Sequence, residues 1–282
     1  MFRATVFVFV LLLAACGTTA TSQPTAAPTA PPATAAALSG RLTFAGSTTM
    51  QPLVEKLAEQ YRTHNPAVEL EIAAGGSVVG INAVQDGSVD IGMASRPVKD
   101  QEVKPGMRLF PVAYDALAII VHPDNPVRAL TVEQLRRIYQ GGITNWRELG
   151  GPDAPIRAVV REVSSGTRGA FDELVLDGED PATQATSEVT AGEVEQTVAG
   201  DTHAIGYVGF GNVRPDIATL SIDGVQPSPE AVRSGEYKLR RPLTLLTGSL
   251  SRPLAQSFVE FALSPEGQRL VAEDGWVPIG GS

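Results

Sequence analysis

The sequence predicts an α/β fold, and two observations carry this prediction. Between residues 38 and 282, short apolar segments typical of strands take turns with longer segments whose apolar residues recur at helical spacing. This part of the chain is also long enough to bury one large core, or two lobes with a core each. Since it contains no internal repeat and no apolar run of membrane-spanning length, we expect a globular α/β body.

The predicted strands and helices alternate along much of the chain. The predicted strands cover residues 41–45, 68–73, 89–93, 116–121, 156–160, 204–208 and 243–246. The predicted helices cover residues 50–64, 78–85, 132–140, 168–176, 189–199, 254–263 and 265–274. Two helix starts have clear capping signals. Thr131 is an N-cap with Gln134 three residues on, and Ser264 is an N-cap with Pro265 at the first helical position.

The N-terminus has the features of an export signal with a lipid-attachment site. Arg3 precedes the apolar run of residues 6–13, which is too short to span a bilayer and is followed by small residues. Cys16 comes next and completes a sequence similar to a bacterial lipobox. It is the only cysteine, which excludes an intrachain disulfide. We therefore expect residues 1–15 to be a signal peptide and Cys16 to carry a lipid.

The segment after Cys16 is predicted to be a tether. Residues 18–37 contain only Thr, Ser, Gln, Pro and Ala, so they cannot bury enough apolar surface to offset the entropy lost on ordering. We expect residues 16–38 to be disordered and to connect the lipid anchor to the folded body. The sequence leaves open whether this tether is glycosylated.

The charge balance excludes some classes of partner. Removal of the signal peptide with Arg3 leaves 21 basic against 31 acidic residues, a net charge of −10. A body this acidic argues against nucleic acid and against a basic membrane-binding patch. Any anion site in it has to work by local geometry, against the overall field.

Three strand-to-helix turns share a composition that suits an anion. Residues 46–49, 75–77 and 164–167 combine Gly with Ser or Thr, and Arg161 ends the strand before the third turn. A helix N-terminus leaves backbone N–H groups without partners, glycines allow close approach, and hydroxyls add donors. Ordinary helix capping explains any one of these turns. Three turns at the carboxyl ends of strands, with one guanidinium, indicate a shared site for a tetrahedral oxyanion.

These residues resemble the phosphate-binding proteins of bacterial ABC phosphate transporters. The similarity runs in order from Leu42 to Pro278, and the segment that begins at Arg161 and contains Ser-Gly-Thr is its most specific part. The motifs that carry the resemblance are GSTTMQPL (46–53), GGSVVG (75–80), VDIGMASRP (89–97), ITNW (143–146), REVSSGTR (161–168) and AIGYV (204–208).

The resemblance implies a two-lobed type II periplasmic-binding-protein fold that closes on its ligand like a hinged clamp. Lobe 1 would contain residues 39–113 and 239–282, and lobe 2 would contain residues 114–238. The strands predicted at 116–121 and 243–246 would form the two-strand hinge. The ligand would lie in the cleft between the lobes.

The family's site carries over by position. The implied phosphate-binding residues are Thr48, Thr49, Ser77, Ser95 and Arg96 from lobe 1, and Arg161, Ser165, Gly166 and Thr167 from lobe 2. The implied function is that of an extracytoplasmic, lipid-anchored monomer that captures inorganic phosphate and delivers it to an ABC permease. The resemblance implies no cofactor, no metal and no nucleic acid, and contact with the membrane through the lipid alone.

One position departs from the best-known members of this family. They have an aspartate after the Val-Asp-Ile-Gly strand, which accepts the proton of hydrogen phosphate, whereas this chain has Ser95-Arg96. An acceptor at this place distinguishes phosphate from sulfate, so its replacement leaves that selectivity open. Ser95 would donate instead, and Arg96 would either add positive charge or lie in solvent. Asp115 is either a replacement acceptor or a structural carboxylate.

Other functions receive less support from the sequence. A serine hydrolase needs a Gly-x-Ser-x-Gly elbow and a histidine partner, and residues 75–80 lack that spacing. His64, His122 and His203 lie at predicted element ends, and no cluster of His, Cys, Asp or Glu has metal-binding spacing. We therefore expect no enzymatic activity. Sulfate, molybdate or tungstate as the ligand, and a role as a phosphate-responsive surface sensor or adhesin, stay open.

Overall fold

A mixed sheet runs through the folded part of the chain. The computed structural model describes residues 1–2, 5, 38–182, 184–249 and 251–280. The strands are β1 (Gly40–Gly46), β2 (Val68–Ala74), β3 (Ile91–Ala94), β4 (Arg108–Val121), β5 (Ala129–Leu130), β6 (Arg157–Arg161), β7 (Thr186–Glu188), β8 (Ala204–Gly209), β9 (Ala218–Thr219), β10 (Ser221–Ile222), β11 (Arg240–Thr247) and β12 (Val277–Pro278).

Helices alternate with these strands, as the sequence predicts. The helices are α1 (Gln51–His64), α2 (Ser77–Asp86), α3 (Val132–Tyr139), α4 (Gly166–Leu174), α5 (Ala191–Ala199), α6 (Pro229–Ser234), α7 (Pro253–Leu263) and α8 (Pro265–Glu273), and short 3₁₀ turns cover Asp100–Glu102, Trp146–Leu149 and Phe210–Asn212. Thr131 forms the predicted capping box with Gln134, and Ser264 caps α8 with Pro265 in its first turn. The α/β prediction is confirmed.

The order of strands explains how one sheet serves two cores. The order is β2-β1-β3-β11-β4-β8-β6-β7, with β9 and β12 also paired to β4, while β5 and β10 form a separate pair. Pairing is parallel at β1–β2, β1–β3, β6–β7 and β6–β8, and antiparallel wherever β4 or β11 takes part in the large sheet. The two antiparallel strands therefore lie between two parallel groups.

The long strand β4 differs from the prediction. The sequence predicted a strand at 116–121 only, whereas β4 begins at Arg108. Its first half pairs with β11 and its second half pairs with β8. Pro111, the exposed Tyr114 and the charged Asp115 interrupt the apolar pattern of the first half, which is why composition alone hides it.

Two large hydrophobic cores lie on the two parts of this sheet, together with two smaller clusters. The first core draws on residues 42–113 and 243–276, and its largest members are Phe44, Tyr61, Phe258 and Trp276. The second core draws on residues 116–239 together with Val277, and its largest members are Tyr139, Trp146, Phe171 and Tyr207. The described residues from 38 onward nevertheless form one compact unit. Strands β4 and β11 connect its two parts.

The predictions for the N-terminus concern residues outside this description. The signal peptide, the lipidated Cys16 and the tether fall almost entirely on residues that the structure does not describe. Among the residues that it does describe, no helix is both long and apolar enough to cross a membrane.

Candidate anion-binding site

The Ser/Thr-rich turns converge on one place in the molecule. Strands β1, β2 and β3 end at Gly46, Ala74 and Ala94 on the same edge of the first parallel group, and β6 ends at Arg161 in the second group. The turns after these four strands contact one another. We call their hydroxyl-bearing residues the hydroxyl cluster, which consists of Ser47, Thr48, Thr49, Ser77, Ser95, Ser165 and Thr167.

Hydrogen bonds connect five of the seven members of the hydroxyl cluster, in two groups. The Thr49 hydroxyl lies 2.9 Å from the Thr167 hydroxyl and so bridges the two parts of the sheet. Ser47 donates to the Ser95 hydroxyl at 2.8 Å, and the Ser95 N–H donates to Ser77 Oγ at 3.0 Å. These five side chains are at most 2% exposed. The cluster is therefore a buried group of neutral donors and acceptors.

Backbone groups bring the second and third turns together. The Val78 N–H donates to the Ser164 carbonyl at 3.1 Å, and the Ser164 hydroxyl donates to the Gly75 carbonyl at 3.2 Å. Gly76 has φ of 88°, and a Cβ there would lie 2.6 Å from the Ser164 carbonyl oxygen. The sequence thus places glycine where both the backbone angle and the close approach require it.

The start of helix α4 completes this contact. Ser165 is its N-cap and accepts from the Arg168 N–H at 3.3 Å. Gly166 and Thr167 are its first two residues, whose N–H groups have no partner within the helix. A Cβ on Gly166 would lie 2.0 Å from Ser77 Oγ and 2.9 Å from Ser95 Oγ. The positive end of α4 therefore faces the hydroxyl cluster at close range.

Arg161 supplies the positive charge at this site. Its side chain contacts the hydroxyl cluster through Nη2, which lies 3.0 Å from the Thr48 hydroxyl. It also donates to the carbonyls of Val189, at 2.6 Å, and Glu188, at 3.3 Å. The residue is 1% exposed, and burial lowers the pKa of its guanidinium to about 10. The group nevertheless stays protonated at neutral pH.

The second core holds Arg161 in place. The backbone N–H of Arg161 donates to the Tyr207 hydroxyl at 3.2 Å, and the Tyr207 ring stacks on Phe171 of α4 with 4.0 Å between ring centres. Burial raises the pKa of the Tyr207 phenol, so it stays neutral and available as an acceptor. Strand β6 and helix α4 are thereby fixed relative to each other through aromatic packing.

Arg161 differs from the other buried arginines in its partners. Four arginines are buried in the described part of the chain, namely Arg96, Arg161, Arg168 and Arg241. Arg96 pairs with Glu102 at 2.6 Å, Arg168 with Asp172 at 2.8 Å, and Arg241 with Asp115 at 2.9 Å. Among the described residues, Arg161 has no carboxylate within ion-pair distance. A buried, uncompensated guanidinium is costly, and an anionic ligand would balance it.

Comparison with known proteins decides the family. A family model described as a PBP superfamily domain matches residues 22–266. The phosphate-binding protein PstS of Bacillus subtilis is 35% identical over 275 residues, which cover 96% of this chain and 91% of that one. The chain belongs to the PstS family of phosphate-binding proteins.

Solved structures of this family have the same fold. A phosphate ABC transporter substrate-binding protein from Clostridium perfringens, with bound phosphate, is 39% identical with a TM-score of 0.83, over 85% of this chain and 100% of that one. An ABC-type phosphate transport receptor from Vibrio cholerae is 32% identical with a TM-score of 0.71, over 84% of this chain and 100% of that one. The predicted two-lobed periplasmic-binding-protein fold and the family are confirmed, and these relatives are named as binding proteins or receptors.

The structure brings eight of the nine residues that the family pattern indicates to one place. Arg96 is the exception, because its guanidinium donates to both carboxylate oxygens of Glu102, at 2.6 and 2.7 Å, and to the Pro97 carbonyl. Its aliphatic part packs on α4, where a Cβ on Gly169 would lie 2.9 Å from Arg96 Cδ. Arg96 is therefore buried beside the hydroxyl cluster, with its charge directed to Glu102.

The surroundings of Asp115 agree with the second of its two interpretations, that of a structural carboxylate. Its Oδ2 accepts from Arg241 Nε at 3.0 Å and Nη2 at 2.9 Å, and its Oδ1 accepts from the Phe210 N–H at 3.0 Å. Burial raises the pKa of Asp115 to about 6, while Arg241 and the backbone donors oppose this rise. The carboxylate is thus mainly ionised at neutral pH and already fully occupied by donors.

Sequence reasoning missed two contributors to the site. Ser47 lies in the first turn and bonds to Ser95, although the family pattern selects only the threonines that follow it. The Ala191 N–H at the start of α5 lies 3.3 Å from the Thr48 hydroxyl. Helix α5 begins two residues later than predicted, with Thr190 and Glu193 as a capping box, and that Thr-x-x-Glu signal was present in the sequence.

Metal binding has no support from the described residues. They contain no group of three or more His, Cys, Asp or Glu side chains that could hold a metal ion. The three histidines make their hydrogen bonds with residues outside the hydroxyl cluster. His64 contacts Glu266, the His122 ring accepts from the Asp124 N–H, and the His203 N–H donates to Asp201.

Proposed function

We propose that this chain captures inorganic phosphate between its two lobes. The observation that carries the proposal is the buried Arg161, which has no carboxylate partner among the described residues and contacts the hydroxyl cluster instead. An oxyanion would complete its charge balance. The phosphate-binding proteins to which the chain is similar support phosphate as that oxyanion.

The proposed mode of binding uses neutral donors around one cation. The proposed ligand groups are Thr48, Thr49, Ser77 and Ser95 from lobe 1, and Arg161, Ser165, Gly166 and Thr167 from lobe 2. Arg161 would form a charge-assisted pair with the anion, while hydroxyls and the N–H groups at the start of α4 replace its hydration shell. Because these groups come from both lobes, phosphate would favour the conformation in which the lobes are in contact.

We also propose boundaries for the two lobes that contribute these ligand groups. Residues 39–113 and 239–282 would form lobe 1, and residues 114–238 would form lobe 2. The division between the two hydrophobic cores supports these limits, since only Leu239 and Val277 of the second core lie outside them. Strands β4 and β11 would then act as the hinge.

A titration with three oxyanions tests the ligand. We expect inorganic phosphate to bind the full-length protein with one ion per chain in isothermal titration calorimetry. Sulfate and molybdate are the comparison ligands, because the described residues offer no free carboxylate to the cluster and the hydroxyls can accept as well as donate. Tighter binding of sulfate or molybdate than of phosphate would contradict the proposed ligand.

We further propose that the protein lies outside the cytoplasm, anchored to the membrane through lipidated Cys16. The export signal and the lipobox-like sequence support this, although Cys16 lies outside the described residues. The variant Cys16→Ser should bind phosphate normally but be released from the membrane. Membrane retention of that variant after fractionation would refute the anchor.

Delivery to an ABC permease is the last part of the proposal. Val79, Val163 and Val189 are 43%, 81% and 53% exposed, and each lies beside a contact between the turns of the site. Both lobes contribute to this exposed apolar rim, so a membrane partner that binds it would recognise the form of the protein in which the cleft is occupied. We expect Val163→Ser, which removes the apolar surface without adding charge, to leave phosphate binding unchanged and to reduce phosphate uptake by cells. Undiminished uptake would exclude Val163 from the contact.

A further inference from the structure

A cavity separate from the hydroxyl cluster lies on one face of strands β4 and β11, the two strands of the proposed hinge. It has a volume of about 380 Å³ and is lined by Tyr114, Val232, Arg233, Arg240, Arg241, Pro242, Val277 and Pro278. Its position follows from strand geometry. Tyr114 is paired with Pro242, and Asp115 with Arg241, so the two pairs project to opposite faces of the sheet. Tyr114 and Pro242 face the cavity. Arg241 borders the cavity as well, but its guanidinium pairs with Asp115 on the other face of the sheet.

The floor of this cavity is apolar. Tyr114 on β4 lies between Pro242 of β11 and Val277 of β12, its partners in the sheet register. The tyrosine is 44% exposed, which is high for an aromatic residue in the middle of a large sheet. A half-exposed ring with apolar neighbours on both sides offers a stacking surface to a flat ligand.

The rim of the cavity carries positive charge without acidic partners. Arg233 on α6 makes no ion pair with any described residue, and Arg240 donates only to the Val232 carbonyl, at 3.2 Å. None of the lining residues is acidic. The chain has nine more acidic than basic residues, and carboxylates engage many of its other arginines, such as Arg157 and Arg252. Two unpaired guanidiniums at one cavity are therefore a local excess of positive charge.

We propose that this cavity binds a small organic anion whose phosphate or carboxylate group pairs with Arg233 and Arg240 and whose flat ring stacks on Tyr114. The positive rim disfavours cations, and the apolar floor gives a ring a contact that an inorganic anion cannot use. The volume falls within the range of small-molecule sites, which is roughly 300–1,000 Å³. This site is separate from the hydroxyl cluster and does not depend on the identity of the oxyanion bound there.

The test uses AMP, benzoate and adenosine as probes of the full-length protein, with excess inorganic phosphate to occupy the anion-binding site. AMP carries a phosphate on a ring system, benzoate carries a carboxylate on a ring, and adenosine has the ring system without the charge. We expect AMP or benzoate to bind with one molecule per chain, and adenosine to bind at least about tenfold more weakly than AMP because it lacks the ion pair. Equal binding of adenosine and AMP, or no saturable binding of either anion, would overturn the proposal.

Variants locate the binding. Arg233→Ala and Tyr114→Leu should each weaken binding of the anion by about fivefold or more, since each removes one of the two recognition elements. The matched control is Arg62→Ala, an exposed arginine on α1 that does not line the cavity. An unchanged affinity in Arg233→Ala and Tyr114→Leu would overturn the assignment. Repeating the AMP and benzoate titrations with Arg161→Ala separates the two sites. The cavity beside Tyr114 should still bind the organic anion even if phosphate binding at the hydroxyl cluster is lost.

Discussion

Arg161 and Arg241 are both almost completely buried, yet their surroundings differ in one respect. Each is 1% exposed, and they lie close enough for the charge of Arg241 to help lower the pKa of Arg161. Arg241 is compensated by the carboxylate of Asp115, whereas Arg161 is held by two carbonyls and the Thr48 hydroxyl. One guanidinium is therefore neutralised within the fold, and the other is not.

This difference separates a structural role from a binding role. A buried ion pair fixes strands β4 and β11 together and leaves no charge for a ligand. A buried guanidinium with only neutral partners keeps its charge available. The burial of an arginine is thus a weak indicator of a binding site, and the lack of a buried carboxylate beside it is a much stronger one.

The largest expected effect comes from breaking the compensated pair. Arg241→Met should lower the free energy of unfolding by about 3–5 kcal/mol, because Asp115 is left buried without its partner. Arg161→Met should change that free energy by about 1 kcal/mol or less, since no opposite charge is orphaned. Chemical denaturation of both variants measures this difference in the free energy of unfolding. Equal destabilisation of the two variants would contradict the prediction.

A double variant shows whether the pair itself is the cause. Asp115→Leu combined with Arg241→Met replaces both charges by apolar groups and should recover most of the stability lost in Arg241→Met alone. Failure to recover would mean that packing around Arg241, rather than the orphaned carboxylate, causes the loss. The backbone N–H of Phe210, which donates to Asp115, limits how complete the recovery can be.

Glu195 provides the opposite case, a buried carboxylate with a poorly placed cation. It is 5% exposed, and Arg214 lies 3.5 Å away but is half exposed. Burial raises the pKa of Glu195 from 4.5 to about 7. The folded state therefore binds the proton more tightly than the unfolded state, and the protein should lose stability as the pH rises from about 4.5 to about 7.

The variant Glu195→Gln removes this titration. It should flatten the fall in stability over that pH range, by on the order of 2 kcal/mol between its ends, and should differ little from the wild type below pH 4.5. Denaturation at several pH values measures both curves. Parallel curves for the wild type and the variant would show that Glu195 does not titrate in this range.

Close approach at Gly166 should matter for binding rather than for folding. In Gly166→Ala, the new Cβ would meet Ser77 Oγ at 2.0 Å, so the lobes could not come together as closely. We expect phosphate affinity to fall by about tenfold, which corresponds to about 1.4 kcal/mol. The matched control is Gly192→Ala on α5, where the added carbon would meet no atom from outside the neighbouring helix backbone within 4 Å. Phosphate titration of both variants tests this expectation. A twofold or smaller loss of phosphate affinity in Gly166→Ala would count against the contact.

Arg96 should have the smallest effect. The sequence left open whether it adds charge to the site, and the structure directs its guanidinium to Glu102. We therefore expect Arg96→Gln to change the ratio of phosphate to sulfate affinity by about twofold or less, because its charge is already compensated. A larger change in that ratio, measured by competition, would place Arg96 in contact with the anion.

The sequence predicted the turns of the site better than it predicted the charges. Gly, Ser and Thr at strand-to-helix turns act through local backbone chemistry, so their roles are readable from a short segment. The compensation of Arg241 by Asp115 joins residues 126 positions apart and depends on the pairing of β4 with β11. No local pattern contains that information.

The errors in the predicted elements have a related physical cause. The first half of β4 was missed because Pro111 and Asp115 break its apolar pattern, although tertiary pairing makes it a strand. Helix α6 was missed even though Ser228 and Pro229 form a cap and first-turn signal, since the helix has only six residues. Elements with a long apolar face, such as α1, were predicted to within one residue.

The most direct test of the binding role of Arg161 is a phosphate titration of Arg161→Ala beside the wild type, with folding of both checked by circular dichroism. The loss of a charge-assisted hydrogen bond should weaken phosphate binding by at least about tenfold while the fold is kept. An affinity within twofold of the wild type would contradict the account, because it would mean that the uncompensated guanidinium does not balance the charge of the anion.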